Sequence, residues 1–321
     1  MELTLHGDRA RSFEENMAAL TPWMHSFKFG EAIYTGYYKH EGLGDLTYVN
    51  SQSDPAAIAR MRDAYERRDK AAWPAFVQSL FDRIAPDVAE RARLRVLDVA
   101  SATGQLSIRA VDAGFRQVLS SEIRANQCAQ QQLILGSIAD AKYREAIQVE
   151  HDPVSADAES FPERYREFNP DIVCSFGLLY HLANPVQHLR NLRAITKRYA
   201  LVYTMAHQYP LAKRMWSLTL EDGAWMTKAT SGISWMPHFL ELVRVAREVG
   251  FRKVSPVYPE MFRRHFPDYE RYTRVTDAKL VAQLICDKVL GLKLGSARNF
   301  RPEYFRNAGM SPAYFAFVME K

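Results

Sequence analysis

The chain has 321 residues, 47% of them hydrophobic and 25% charged, which excludes a disordered or fibrous protein and suffices for a large core without disulfides. Lysine and arginine number 42 against 37 acidic residues, and the net charge of +5 is compatible with an anionic substrate or RNA while demonstrating neither. The cysteines Cys128, Cys174 and Cys286 are widely separated and form no C-x-x-C pair, so neither a disulfide framework nor a cysteine zinc site is expected. The N-terminus has no apolar leader and no window reaches the roughly 18–20 apolar residues of a membrane span, so a cytoplasmic protein without membrane contact is expected.

Residues 1–50 are aromatic-rich, with two glycine-punctuated stretches, FKFGEAIYTGYY and HEGLGDLTY. Asp54-Pro55 reads as an N-cap followed by proline in a first helical turn. Trp73, Phe76, Val77, Leu80, Phe81 and Ile84 recur at helical spacing and predict a second helix that buries this stripe. From residue 94 the period changes. Short apolar runs at 94–100, 117–121, 146–150, 171–176, 199–204, 253–257 and 314–319 predict seven strands, with helices at 105–113, 125–135 and 237–249. Gly114 and Gly250 stop the first and last of these helices. Such alternation implies an α/β fold, a doubly wound, Rossmann-like, mostly parallel seven-stranded sheet over residues 91–321. Residues 1–90 are expected to form a helical cap, and an insertion or lid is expected around 259–312.

Open sheets of this kind bind ligands beyond the carboxyl ends of their strands, near the switch in strand order. The segment R-V-L-D-V-A-S-A-T-G-Q-L-S puts a tight loop there: Asp98 nears the end of the first strand, Gly104 opens the following helix, and Ala100, Ser101, Ala102 and Thr103 lie between. Small side chains let the backbone approach a ligand closely. Glu122 ends the second strand, where a carboxylate can accept hydrogen bonds from both hydroxyls of a ribose.

This segment resembles the first motif of the class I S-adenosylmethionine (SAM)-dependent methyltransferases, approximately L-D-x-G-x-G-x-G, with Ala100 and Ala102 in place of two glycines and Gly104 retained. V-S-A-D-A-E-S-F-P at 154–162 resembles the family's G-D-A-x-x-L-P; the resemblance implies that Asp157 meets the adenine amino group and Ala158 adds a backbone contact. D-I-V-C-S-F-G-L-L-Y-H-L-A-N-P-V-Q-H-L resembles the F-D-x-V-x-x-x-G-V-L-Y-H-x-x-x-P-x-x-H-L signature of one subgroup, which holds tRNA wobble-uridine carboxymethyltransferase-like proteins and related small-molecule methyltransferases. W-M-H-S-F-K-F-G-E-A-I-Y-T-G and I-S-W-M-P-H-F-L-E-L-V-R-V-A-R-E-V-G-F are similar to two flanking elements of that subgroup. The resemblance spans about residues 23–257 and leaves 259–312 unmatched.

The resemblance implies SAM as cofactor, held by Asp98, Ala100, Ser101, Thr103, Gly104, Glu122, Asp157, Ala158, Phe176 and Tyr180. The wobble-uridine enzymes use carboxy-SAM, whose extra carboxylate needs basic partners. Lys28 lies near one such position, but the arginine expected before the last strand is absent from S-P-A-Y-F-A-F, so plain SAM is expected. Tyr180 and His181 are the candidate catalytic residues, Tyr180 beside the sulfonium and His181 either as a general base or as a residue that fixes its loop. His188 more readily packs or caps the following helix.

Trp23, His25, Phe29, Tyr34, Tyr37, Trp216, Trp225, Trp235 and Met236 could roof the site and meet substrate, since aromatic faces attract a sulfonium, though each more readily packs in the core; Lys28 could meet substrate or be a solvated surface lysine. Arg263, with Arg264, Arg271 and Arg274, could grip a substrate carboxylate or phosphate from a lid, or lie on a solvated face. No metal site is expected: the nine histidines show no H-E-x-x-H or paired ligand spacing. The expected reaction is methyl transfer by in-line displacement to an oxygen, nitrogen or sulfur of a small molecule. The alternatives are a tRNA-modifying methyltransferase and a catalytically silent SAM-binding scaffold. A nicotinamide oxidoreductase is disfavoured because G-x-G-x-x-G is missing.

Overall fold

A computed structural model of the protein describes residues 2–3, 10–36, 46–68, 70, 72–206, 216–220, 233–257 and 313–321. The N-terminal part carries helices α1 (Ala10–Ala19), α2 (Pro55–Arg68), α3 (Ala72–Ile84) and α4 (Val88–Arg91). It also holds four short strands, β1 (Glu2–Leu3), β2 (Lys28–Phe29), β3 (Ile33–Thr35) and β4 (Tyr48–Val49), paired in that order. The expected helical cap is therefore a mixed α/β piece. Gly30, at φ +58°, makes the left-handed turn that folds β3 back on β2, a backbone conformation glycine adopts without strain. Asp54 caps α2 as predicted, its Oδ1 accepting the Ala56 N–H at 3.2 Å.

The main sheet is built of β5 (Arg95–Val99), β6 (Gln117–Glu122), β7 (Ile147–His151), β8 (Ile172–Phe176), β9 (Tyr199–Ala206), β12 (Lys253–Val257) and β13 (Ala313–Glu320). Its order is β12-β13-β9-β8-β5-β6-β7, with β13 antiparallel to both neighbours and the other pairs parallel. All seven strands lie within a few residues of the runs predicted from the sequence. A hairpin, β10 (Trp216–Leu220) and β11 (Ile233–Pro237), stands apart from the sheet. Helices α5 (Gln105–Asp112), α6 (Ala125–Ser137), α7 (Lys142–Ala146), α8 (Phe161–Arg164), α9 (Pro185–Ile195) and α10 (Phe239–Glu248), with a 3-10 turn at Leu179–His181, complete the described chain.

Both faces of the sheet are covered, as parallel strands require. One core holds Val96, Val118, Ile172 and Cys174 against α3, α5 and α6; the other holds Leu97, Val173, Leu189, Leu242 and Phe317. The predicted stripe of α3 is buried from Phe76 to Ile84 and partly buried at Trp73, Phe81 meeting Phe115 at 4.8 Å between the centres of tilted rings, and each fully buried side chain contributes about 1.5–3 kcal/mol. The chain leaves β5 through α5 to β6 on one side, while β8 flanks β5 on the other. That reversal opens a crevice at the carboxyl ends of β5, β6 and β8, where the loop rich in small residues falls.

Candidate active site

Ala100, Ala102 and Gly104 all lie in the left-handed region, at φ 56°, 50° and 76°. The two alanines therefore keep the path that glycine would follow, each at a cost of roughly 1–2 kcal/mol in backbone strain. Gly104 is different, because a Cβ there would stand 3.0 Å from Oε1 of Gln131. Gln131, on α6, holds the loop from beneath: its Nε2 donates to Ser101 Oγ at 2.7 Å and to the Ala102 carbonyl at 2.6 Å. The position where the glycine survives is the one where a methyl group would push against this amide.

Below the loop runs a chain of buried hydroxyls. Ser120 donates to Gln131 Oε1 at 2.6 Å, Ser107 bonds Ser120 at 2.9 Å, and Ser107 bonds Asp98 Oδ2 at 2.7 Å. A hydroxyl has one proton to give. With the Ser120 proton on Gln131, the Ser107 hydroxyl is the donor, to Ser120 Oγ or to Asp98 Oδ2. Burial pushes the Asp98 carboxyl up to about 7, the Ser107 hydrogen bond opposing the rise and the Glu122 charge adding to it.

Glu122 ends β6 as predicted, but its carboxylate is wholly buried and engaged with protein. Oε2 accepts the Ala102 N–H at 2.8 Å and Oε1 the Arg124 N–H at 3.0 Å. With its amide nitrogen turned toward Glu122, Gln127 donates to both oxygens at 3.2 and 3.3 Å, and the Arg124 guanidinium lies 3.5 Å away. Burial raises the Glu122 carboxyl above its ordinary range.

The crevice is a cleft lined by Val99, Ala100, Ser121, Ile123, Arg124, Asp152, Val154, Ser155, Ala156, Phe161, Leu178, His181 and Leu182. Apolar walls with a few polar groups suit a flat heterocycle. Asp152, just past β7, accepts the Tyr165 hydroxyl at 2.7 Å, and Tyr165 in turn takes the Ser121 proton at 2.5 Å. Asp157 is engaged by its own loop and by α9: it accepts from the Ser155 hydroxyl and from the Asn184 N–H at 2.8 Å. The Ala158 carbonyl accepts from Asn191 at 2.7 Å. His188, fully buried, bridges Ser175 Oγ at 2.9 Å and the Ala156 carbonyl at 3.1 Å, and desolvation lowers its pKa to about 4. His188 and Asn191 thus brace the wall formed by Ala156.

The 3-10 turn sets Tyr180 and His181 side by side, ring centres 4.0 Å apart, with the Tyr180 hydroxyl 3.9 Å from where a Cβ on Gly177 would stand. Phe176 is not among the residues that line the cleft, and its ring meets Trp73 and Tyr203. Thr103 is buried, and its hydroxyl has no partner among the described residues. A buried hydrogen-bonding group left open at the tip of this loop fits a ligand that supplies the missing bond.

The N-terminal segment reaches this end of the sheet, since Gln105 Nε2 donates to the Ser26 carbonyl at 3.1 Å. Within it Trp23 is core, its indole N–H given to Met17 at 2.9 Å, and Tyr34 is buried against Tyr65 at 5.9 Å. His25 Nδ1 is buried without a partner among the described residues, and desolvation lowers the ring to about 4. Lys28 lies half-buried on β2. Trp235, on β11, donates to the Ala183 carbonyl at 3.1 Å and so pins the hairpin to the turn that follows His181. Tyr37, Trp225, Arg263, Arg264, Arg271 and Arg274, and the expected insertion at 259–312, lie outside the described residues. Reading the sequence missed Gln131 as the loop's support, Gln127 as the partner of Glu122 and Gln130 as the tie to the Leu20 and Pro22 carbonyls; three amides on one face of α6, where apolar residues belong, were the available signal.

Sheet order, antiparallel β13 and the left-handed loop at the switch point together define a class I methyltransferase, the SAM-dependent class expected above. A profile of the methyltransferase domain family matches residues 65–255, and the chain belongs to that family. The crystal structure of the N-terminal domain of EvdMO1 with S-adenosylhomocysteine (SAH) and D-fucose is similar in fold, with TM-score 0.53 and 13% identity over 78% of this chain and 90% of that one. The same domain with SAH bound gives 0.53 at 14% identity, with the same coverage. A tRNA U34 carboxymethyltransferase of Marinobacter nauticus is 30% identical over 118 residues, 37% of this chain and 33% of that protein, so the match spans a third of the relative's length. Among the described residues no helix is long and apolar enough to cross a membrane, and no cluster of His, Cys, Asp or Glu could hold a metal.

Proposed function

We propose that the protein transfers a methyl group from SAM to a small molecule, with the cofactor seated in the crevice between the Ala100–Gly104 loop and the turn carrying Tyr180 and His181. SAM supplies an activated methyl on a good leaving group, so the chain's work is to bind, orient and exclude water. Ala100, Ser101 and Gly104 give the ligand backbone to approach, and Thr103 offers an open hydroxyl. Ile123, Ala156 and Leu178 supply apolar walls for the adenine, with Asp157 and Ala158 beside them. Asp98 and Glu122 act from beneath by holding the loop; a ribose would reach the Glu122 carboxylate by displacing Gln127 or the Arg124 side chain. Tyr180 is the residue of choice beside the reacting centre. His181 lines the same cleft and can take a proton from an acceptor that must lose one. Plain SAM fits better than carboxy-SAM, because the Arg124 guanidinium in the lining already faces Glu122.

The observation that carries the small-molecule reading is the double cover over the strand ends, the N-terminal segment held by Gln105 and the hairpin held by Trp235. A tRNA substrate has the partial similarity to the wobble-uridine enzyme in its favour. Incubation with radiolabelled SAM and, separately, small-molecule and tRNA fractions of the source cells tests the assignment. Label in the small-molecule fraction is expected, and label confined to tRNA would overturn it. Calorimetric titration with SAM and carboxy-SAM checks the cofactor, with SAM expected to bind more tightly.

A further inference from the structure

Beside the turn that carries Tyr180 lies a group of aromatic rings that the cofactor crevice does not use. Trp73 and Phe76 come from α3, Phe176 ends β8, and Tyr203 lies opposite it on β9. The Trp73 ring stands 6.1 Å from Phe176 and 5.6 Å from Tyr203, and Phe176 stands 5.6 Å from Tyr203. Phe76 is buried, whereas Trp73, Phe176 and Tyr203 pack against the edge of the core and are only partly buried. Their place is fixed relative to the reacting end: the Gly177 N–H donates to the Tyr203 carbonyl at 2.7 Å, and the Tyr180 hydroxyl lies over Gly177. Finally, the Trp73 indole N–H is buried with no acceptor among the described residues. A buried donor left unpaired is rare and costly in a native protein, and a ligand that completes its bond removes the cost.

We propose that Trp73, Phe176 and Tyr203 form the platform for the methyl acceptor, and that the acceptor is a planar aromatic molecule bearing a hydroxyl or carbonyl oxygen that receives the Trp73 indole N–H. The inference rests on the methyltransferase reading and names the substrate class of that same site. Partly exposed aromatic side chains favour an aromatic partner over an aliphatic one of equal size. A cationic amine would also be drawn to the rings, but its N–H groups would meet the indole N–H donor to donor. An oxygen acceptor satisfies both features at once.

The test uses the full chain saturated with SAH, titrated calorimetrically with β-naphthol and with its saturated counterpart, decahydro-β-naphthol. The aromatic probe is expected to bind about tenfold more tightly, the worth of ring stacking beyond simple burial. Trp73→Phe keeps a ring and deletes the donor; it should weaken β-naphthol about fivefold while SAH affinity stays within about twofold. In the nitrogen–proton correlation spectrum, the indole signal lost in Trp73→Phe should shift when β-naphthol is added to the SAH-bound wild type. Equal binding of the two probes, or an indole signal that does not move, overturns the proposal. Should Trp73→Phe fail to fold, Phe176→Leu, which removes a platform ring and leaves the indole in place, carries the same expected loss for β-naphthol. Failure of SAH itself to bind the wild type overturns the cofactor reading and this inference with it; normal SAH binding with no preference for the aromatic probe overturns this inference alone.

Discussion

Ala100 and Ala102 hold backbone conformations that suit glycine, and the loop carries the strain. Ala100→Gly and Ala102→Gly should therefore each stabilise the protein by about 1 kcal/mol, the relief of a left-handed alanine less the extra freedom of glycine in the unfolded chain. Thermal unfolding should show a rise of about 2–4 °C for each. Gly104→Ala should do the opposite, because the new methyl meets Gln131. Asp98 makes a prediction of a different kind. Its folded pKa of about 7 lies above its ordinary value of 3.8, so the folded state binds the proton more tightly than the unfolded one. Its contribution is full below pH 4 and is lost as pH rises toward 7, at up to about 1.4 kcal/mol per pH unit. The amide introduced by Asp98→Asn cannot ionise, yet its oxygen still accepts from the Ser107 hydroxyl. Denaturant melts should show this variant gaining on the wild type from pH 4 to 7 and holding a constant advantage above it; a parallel pair of pH curves would refute the buried proton.

At the scale of elements, the helices packed on the sheet are fixed by a few buried polar groups. Arg91 is 1% exposed and donates to the Ala85 carbonyl at 2.6 Å, the Ala113 carbonyl at 3.0 Å and Asp82 at 2.6 Å, tying α4 to the ends of α3 and α5. Arg91→Met keeps much of the apolar stem but leaves two buried carbonyls without donors. It should cost about 2–4 kcal/mol, read as a lower urea midpoint with an unchanged slope. On the opposite face α9 uses His188 and Asn191 to hold the Ala156 wall of the crevice. His188→Leu should weaken SAH binding through displacement of that wall, and His188→Gln, which can still donate and accept, should restore most of it. Equal SAH affinity in the wild type and His188→Leu would show that α9 does not set the wall.

For the molecule as a whole the net charge is +5, of which +4 is carried by residues 259–312, with ten lysines and arginines against six acids, outside the described residues. Among the described residues the cations near the cleft face acids: Arg124 lies 3.5 Å from Glu122, and Arg164 lies 3.1 Å from Glu150 and 3.4 Å from Asp152. Phosphate contacts made by such paired cations are few. The logarithm of any tRNA affinity should therefore fall with the logarithm of salt at a slope of about −2 or shallower. A steep slope, near about −6, would report a phosphate-tracking surface and favour the tRNA reading.

Alternating apolar runs and their glycine stops were enough to locate the seven sheet strands, α3, α5, α6 and α10, because each depends on local periodicity and burial of its own stripe. The loop from Ala100 to Gly104, Glu122 and the Tyr180–His181 turn were likewise legible, since short motifs at strand ends keep their order in the chain. Other features came only with the tertiary structure. The hairpin β10–β11 pairs across residues with no clear period, and β1 to β4 are too short to carry one. Glu122, Asp157 and His188 each had several hydrogen-bonding fates open to them, and distant partners chose: Ala102 and Gln127, Asn184, and the Ser175–Ala156 pair. Trp73 read as one more residue of a buried stripe, and only β8 and β9 arriving beside it made an aromatic platform. Local pattern determines what can form, because propensity and burial act along neighbouring residues; which polar group is paired and which is left unsatisfied is decided by contacts between segments far apart in the chain.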